Sequence, residues 1–227
     1  MTTTTEPTTD RRAPLSRERV LRAAVELADR EGIDAVSMRQ VGRELGVEAM
    51  SLYNHVANKE DLLDGMVDLI VSEIDPAAYD GGWKEALRGR ILSARQTMLS
   101  HPWASAVITG RKQASPVMMR YMDTTGGILL RGGFSVDLVH HAFHALGSRV
   151  LGFTQELFDD SSELDSSPEV QAAMLQQMAT EYPNITAIVQ QVVHDDASVV
   201  GSGCDDQVEF EFALDLMLDG LEQLSAP

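Results

Sequence analysis

Cysteine, aromatic residues and long apolar runs are all scarce in this chain, and positive charge is missing from its last third. One cysteine, Cys204, stands among 227 residues. An internal disulfide and a multi-cysteine zinc site within one chain are therefore both excluded. No apolar run approaches the ~18 residues that a bilayer-spanning helix needs. The opening MTTTTEPTTDRRAPLSR lacks the apolar stretch of a secretory signal. A reducing, cytoplasmic location with no membrane partner is expected. Residues 150–227 contain no Lys or Arg against sixteen Asp/Glu, which accounts for nearly all of the formal charge of -17. Residues 11–60, by contrast, hold nine Lys/Arg and eight Asp/Glu. Acidity is a regional property, so it does not exclude a polyanionic partner for the N-terminal part.

What is present is helical periodicity, with almost no strand-like alternation. The expected fold class is all-α: an N-terminal three-helix unit followed by a larger helical domain. Residues 1–15 read as a Thr/Pro-rich disordered arm. Val20, Ala23, Ala24, Leu27 and Ala28 line one face of a first helix ending near Gly32. Ser37 and Gln40 have capping-box spacing and open a second helix. Gly46 suits a sharp turn, and a third helix is expected from Glu48 to His55. Asn58 caps a fourth helix over residues 59–74, which Pro76 stops. Further helices are expected over Trp83–Leu99, from Pro102 to about Thr109, and from Ser115-Pro116, a cap followed by a first-turn proline. The GGFS stretch ends that helix and caps a long one reaching Phe158. Residues 159–168 read as a polar loop, with another helix start at Ser167-Pro168. Helices over Pro183–Val193 and Asp206–Leu224 complete the chain, the last with a broad apolar face of Val208, Phe210, Phe212, Leu216 and Met217.

Two short helices joined by a glycine turn can place the second in a DNA major groove. Val41, Leu45, Val47, Leu52 and Val56 would hold that pair on the first helix. Ala49 and Met50 permit close approach to base edges or thymine methyls, and Ser51 can bond bases or phosphate. Tyr53 and His55 can donate to phosphate oxygens, and Lys59 adds charge just beyond. Ser37 and Arg39 lie at the start of the second helix, where backbone N–H groups also favour phosphate. Blander roles stay open for some of these residues. Tyr53 can pack half-buried with a wet hydroxyl, and Arg39 can pair with Glu44 on the surface.

The stretch SMRQVGRELGVEAMSLYNHVANKEDLLDGM resembles the DNA-binding domain of the TetR family of bacterial repressors. It is most similar to the tetracycline-repressor branch at Gly46-Val47, Leu52-Tyr53, His55-Val56 and Asn58-Lys59. The resemblance implies base reading at Arg39, Ala49 and Met50, and phosphate anchoring at Ser37, Ser51, Tyr53, His55 and Lys59. Ala49 replaces a glutamine of that branch and Asn54 a tryptophan, so a different operator is implied. A looser likeness runs through GGWKEALRGRILSARQTMLSHPWASAVITGR and FEFALDLMLDGLEQL, similar to a tetracycline-repressor-type C-terminal domain. It implies a homodimer, paired through its long helix after GGFS and its final helix, and a small-molecule effector. The expected divisions are residues 1–15 as arm, 16–60 as DNA-binding domain and 61–227 as ligand-binding and dimerisation domain.

Met98, Trp103, Met118, Met122, Phe143 and Phe153 are the candidate effector-binding residues, since methionine and aromatic linings adapt to apolar ligands. The same residue types at helical spacing also serve as plain core. Only half of a tetracycline–magnesium site is matched: Glu156 fits the acid, but Ala106 or Val107 stands where that branch has histidine. His140 and His144 form an i,i+4 pair beside His141. That cluster supports the competing reading, a metal-dependent enzyme on a helical scaffold. No nucleophile–base constellation and no HExxH spacing accompany it, so no enzyme, cofactor or metal is expected.

Overall fold

A computed structural model describes residues 14–74, 81–111, 113–152, 176–192 and 206–225. Among the described residues there are helices and no strand. We label them α1 (Arg17–Glu31), α2 (Met38–Leu45), α3 (Ala49–Leu52), α4 (Lys59–Val71), α5 (Trp83–Ser100), α6 (Ala104–Gly110), α7 (Pro116–Arg131), α8 (Val136–Gly152), α9 (Pro183–Val192) and α10 (Asp206–Ser225). Residues Ile33–Ala35 add a single 3-10 turn. Side-chain caps mark several starts: Ser16 Oγ accepts from Arg19 N–H, Ser37 Oγ from Gln40 N–H and Asn58 Oδ1 from Asp61 N–H. Ser115 and Ser135 do the same for α7 and α8. Each satisfies one of the four N–H groups that a helix start leaves without an intrahelical acceptor. At α2 only half of the capping box forms, because Gln40 Oε1 accepts from Arg43 instead.

The contacts divide the chain into two compact units, one of residues up to Ile74 with Thr97–Tyr121, the other of Asp75–Gln96 with the remainder from Met122. The first unit is built on α1 and α4, which pack along each other while α2 and α3 pack together beside them. Val20, Leu27, Leu52, Leu62, Met66 and Ile70 are wholly buried at its centre. Full burial of each such side chain is worth ~1.5–3 kcal/mol. Residues 101–111 fasten to the same unit. Asp29 Oδ1 accepts from the Trp103 indole N–H at 2.6 Å and lies 2.8 Å from His101 Nδ1. Arg111 donates to the Asp64 carboxylate at 2.7 Å and to the Asp64 carbonyl at 2.9 Å.

In the second unit one core joins Leu87 and Ile91 of α5, Ile128 and Leu129 of α7, Val139, Ala142 and Leu146 of α8, and Phe210, Leu214 and Leu218 of α10. The final helix does not bury one broad apolar face. It carries three ridges. Phe210, Leu214, Leu218 and Leu221 point into the core. Glu211, Asp215, Asp219 and Glu222 face α5, where Arg88 bonds Glu211 and Asp215 and Lys84 pairs with Asp219 and Glu222. Val208, Phe212 and Leu216 stay exposed, Phe212 at 62%. The core position of Phe210 also lies under Arg95, whose guanidinium carbon is 4.3 Å from the ring centroid. Cations from the middle of the chain thus meet the acidic last third by packing.

Two helix ends shift. The third helix is shorter than Glu48–His55: regular geometry ends at Leu52, and residues 53–55 form a turn. The N–H groups of both His55 and Val56 return to the Leu52 carbonyl, a tightening that buries Val56. The fourth helix stops at Val71 rather than Ile74: past it the Glu73 and Ile74 N–H groups bond the carbonyls three residues back, of Ile70 and Val71, and the last turn tightens. The long helix is described as far as Gly152. Pro76, the helix beyond Gly152, the loop at 159–168 and the start at Ser167-Pro168 lie outside the described residues.

Candidate nucleic-acid interface

The α2–turn–α3 corner follows from two glycines. Gly46 has φ 65 and ψ 37, the left-handed region that closes a helix most cheaply with glycine. Its N–H bonds the Arg43 carbonyl and Val47 N–H bonds the Gly42 carbonyl. Gly42 is buried on the inner side of the corner. A Cβ there would stand 3.0 Å from Val47 O and 3.3 Å from Ala49 N. Glycine at 42 is what lets α3 approach α2 so closely.

Beyond α3, Arg17 of α1 fixes the way out. Its two Nη atoms bond the Asp61 carboxylate at 2.6 and 3.0 Å, and Nη1 also donates to the His55 carbonyl at 2.9 Å. Asp61 in turn accepts the Ala57 N–H at 2.7 Å. These contacts hold Asp61 below its ordinary carboxylate range, the Arg17 bond first and the Ala57 N–H second, and Asp61 raises Arg17. This network spans 44 positions of sequence, so no local spacing announces it.

The surface so formed presents the expected residues. Leu52 and Val56 are buried, while Met50 is 74% and Tyr53 46% exposed. Ser37, Arg39, Asn54 and Lys59 are exposed, and Ala49, Ser51 and His55 are half-buried. Ser37 Oγ accepts the α2 cap bond, which leaves its O–H able to donate outward. The surface pair suggested for Arg39 does not form, since Glu44 bonds Arg30 at 3.0 Å. Arg39 has no ion pair among the described residues, and a guanidinium so placed suits bidentate reading of guanine. All of these positions belong to the first compact unit.

The six effector candidates are dispersed. Met98 and Trp103 are buried and Met118 half-buried in the first unit. Met122 is exposed, and Phe143 packs half-buried on the core of the second unit. Phe153 lies outside the described residues.

Residues 20–66 match the family described as bacterial regulatory proteins, tetR family, and residues 75–225 match the tetracyclin repressor-like C-terminal domain. The chain belongs to the TetR family. Among TetR relatives, it is 32% identical over 139 residues to an HTH-type transcriptional regulator of Saccharopolyspora erythraea, a match covering 61% of this chain and 59% of that protein. It is 30% identical to the HTH-type transcriptional repressor DrrR1 of Streptomyces coeruleorubidus, covering 93% of this chain and 79% of the relative. The TetR family protein ActR of Streptomyces coelicolor, solved in complex with actinorhodin, superimposes with TM-score 0.70 at 27% identity, covering 95% of this chain and all (100%) of that one.

These matches support a ligand-responsive, DNA-binding TetR regulator over the histidine-cluster metal enzyme weighed from the sequence. TetR proteins are transcriptional regulators, which as a family are not enzymes. Among the described residues no three His, Cys, Asp or Glu gather as a metal site, and no helix is long and apolar enough to cross a membrane.

Proposed function

We propose that this regulator is a cytoplasmic homodimeric repressor, without enzymatic activity, that leaves a palindromic operator when a small apolar effector binds. The observation that carries the DNA part is the joint exposure of Arg39, Met50, Tyr53 and Lys59 on a corner fixed by Gly42, Gly46 and Arg17. In this reading Arg39, Ala49 and Met50 meet bases, and Ser37, Ser51, Tyr53, His55 and Lys59 meet phosphates. Reading of bases leans on one guanidinium and apolar contacts, because Ala49 and Met50 offer no side-chain hydrogen bond to a base edge. The DNA-binding domain is residues 16–60, preceded by an arm at 1–15, and residues 61–227 bind ligand and dimerise.

The dimer face is the exposed ridge of α10, Val208, Phe212 and Leu216, with Val136 of α8. Helix α10 turns Glu211, Asp215, Asp219 and Glu222 to α5, so the ridge of Val208, Phe212 and Leu216 has no charged side chain of its own, as the core of an interface between copies requires. A two-fold axis then sets two recognition helices one DNA turn apart, ~34–36 Å. The candidate effector-binding residues are Met98, Trp103, Met118, Met122, Phe143 and Phe153, proposed for their adaptable apolar side chains. An effector releases DNA only to the extent that it prefers the dimer whose recognition helices are out of register with adjacent grooves.

Titration of purified protein against duplex from upstream of its own coding region, at low salt, tests the reading. Saturable binding that weakens steeply with salt is expected, since several phosphates are neutralised at once. Absence of binding to any such fragment removes the repressor.

A further inference from the structure

Two of the three clustered histidines occupy a place that neither DNA reading nor effector binding uses. His140 and His144 lie one helical turn apart on α8, both exposed. Their rings meet edge to face with centroids 4.7 Å apart. They stand on the ridge Val136, His140, His144, Ser148, exposed along its length, on the opposite side of α8 from the buried Val139, Ala142 and Leu146. They therefore point away from their own core. His141 belongs elsewhere: its Nε2 is 3.6 Å from Asp137.

Two imidazoles at i and i+4 on one helix face are a two-toothed donor set for a borderline transition metal. Zinc sites close with four ligands in tetrahedral array. One copy of this chain supplies half of them, and no third ligand joins the pair among the described residues. A second copy related by a two-fold axis supplies the same pair again.

We propose that, in the dimer, a divalent transition metal of the zinc class bridges the two α8 helices through His140 and His144 of each copy. This rests on the dimer reading above. The metal satisfies four ring nitrogens that burial between copies would otherwise strip of water. The negative charge of the chain, -17, raises the local concentration of cations. Because the ligands bind as neutral imidazoles, protons compete with the metal.

The test uses full-length protein stripped with EDTA, titrated with zinc sulfate near neutral pH by calorimetry and followed by sedimentation. The expected result is one zinc for every two chains, with dimer dissociation at least about tenfold weaker in zinc than in EDTA. H140Q and H144Q should each abolish that stoichiometric binding and the gain in dimer stability, whereas H141Q should keep both. Circular dichroism checks that each variant keeps its helix content. A dimer that takes up no zinc overturns the metal site and leaves the dimer standing. So does one zinc per chain, or binding that survives the H140Q/H144Q double substitution. Protein that is monomeric in both EDTA and zinc overturns the dimer reading, and the bridge with it.

Discussion

At the close of the recognition corner, the guanidinium of Arg17 holds the Asp61 carboxylate and the His55 carbonyl together, and Asp61 holds Ala57. Asp61 sits below its ordinary value of 3.8 because Arg17 and the Ala57 N–H favour the charged form. Its contribution to stability is thus fully present above the unfolded carboxylate value and is lost as pH falls through the lower folded one. Both side chains are partly exposed, so Asp61→Asn is expected to cost only ~0.5–1 kcal/mol at neutral pH. The gap from wild type should close below about pH 4, a trend that urea unfolding at neutral and acidic pH checks. Tyr53 and Lys59, both exposed, make no side-chain hydrogen bond or ion pair among the described residues. Tyr53→Ala should weaken operator binding about tenfold without disturbing the fold, and Lys59→Ala should lower the salt slope by about 1. Binding isotherms across a salt series separate the two, and an unchanged Tyr53→Ala isotherm rejects its phosphate contact.

Helix starts were largely legible, because Ser37, Asn58, Ser115 and Ser135 are caps whose chemistry is local. The end of α3 was not. Its shortening depends on burying Val56 and on Arg17 capturing the His55 carbonyl, and neither is written in neighbouring residues. Gly46 was readable as a turn glycine, whereas Gly42 looks like an ordinary helix interruption until α3 is seen against it. A Cβ at 42 would meet backbone rather than a flexible side chain. Gly42→Ala is therefore expected to destabilise the first unit by ~1–3 kcal/mol despite alanine's better helix propensity. Thermal melts check this, and DNA affinity should fall with it because α3 is pushed off α2. A variant as stable as wild type would mean the corner relaxes freely.

Across the molecule, segregated charge becomes complementary packing. Lys84 and Arg88 of α5 draw the four carboxylates of the acidic ridge of α10 toward them, and Phe212 and Leu216 stay exposed as an apolar strip beside that ridge. A charge placed on that strip should block association while sparing the core. Phe212→Glu is expected to give a folded monomer by sedimentation, with operator binding reduced by at least ~100-fold, since two half-sites no longer bind as one. A dimeric Phe212→Glu would place the interface elsewhere.

Helical periodicity, caps and the glycine turn determined by themselves that the chain is all-α and carries a helix-turn-helix, because those signals act over one or two turns. The residue types proposed to touch DNA were legible at the same level. Only the tertiary structure decided which apolar ridge of α10 is buried and which faces out, how Arg17 locks the recognition corner, and that His140 and His144 turn from the core together. Each of those depends on contacts between segments far apart in sequence, where the competition among ridges is settled by packing rather than by local preference.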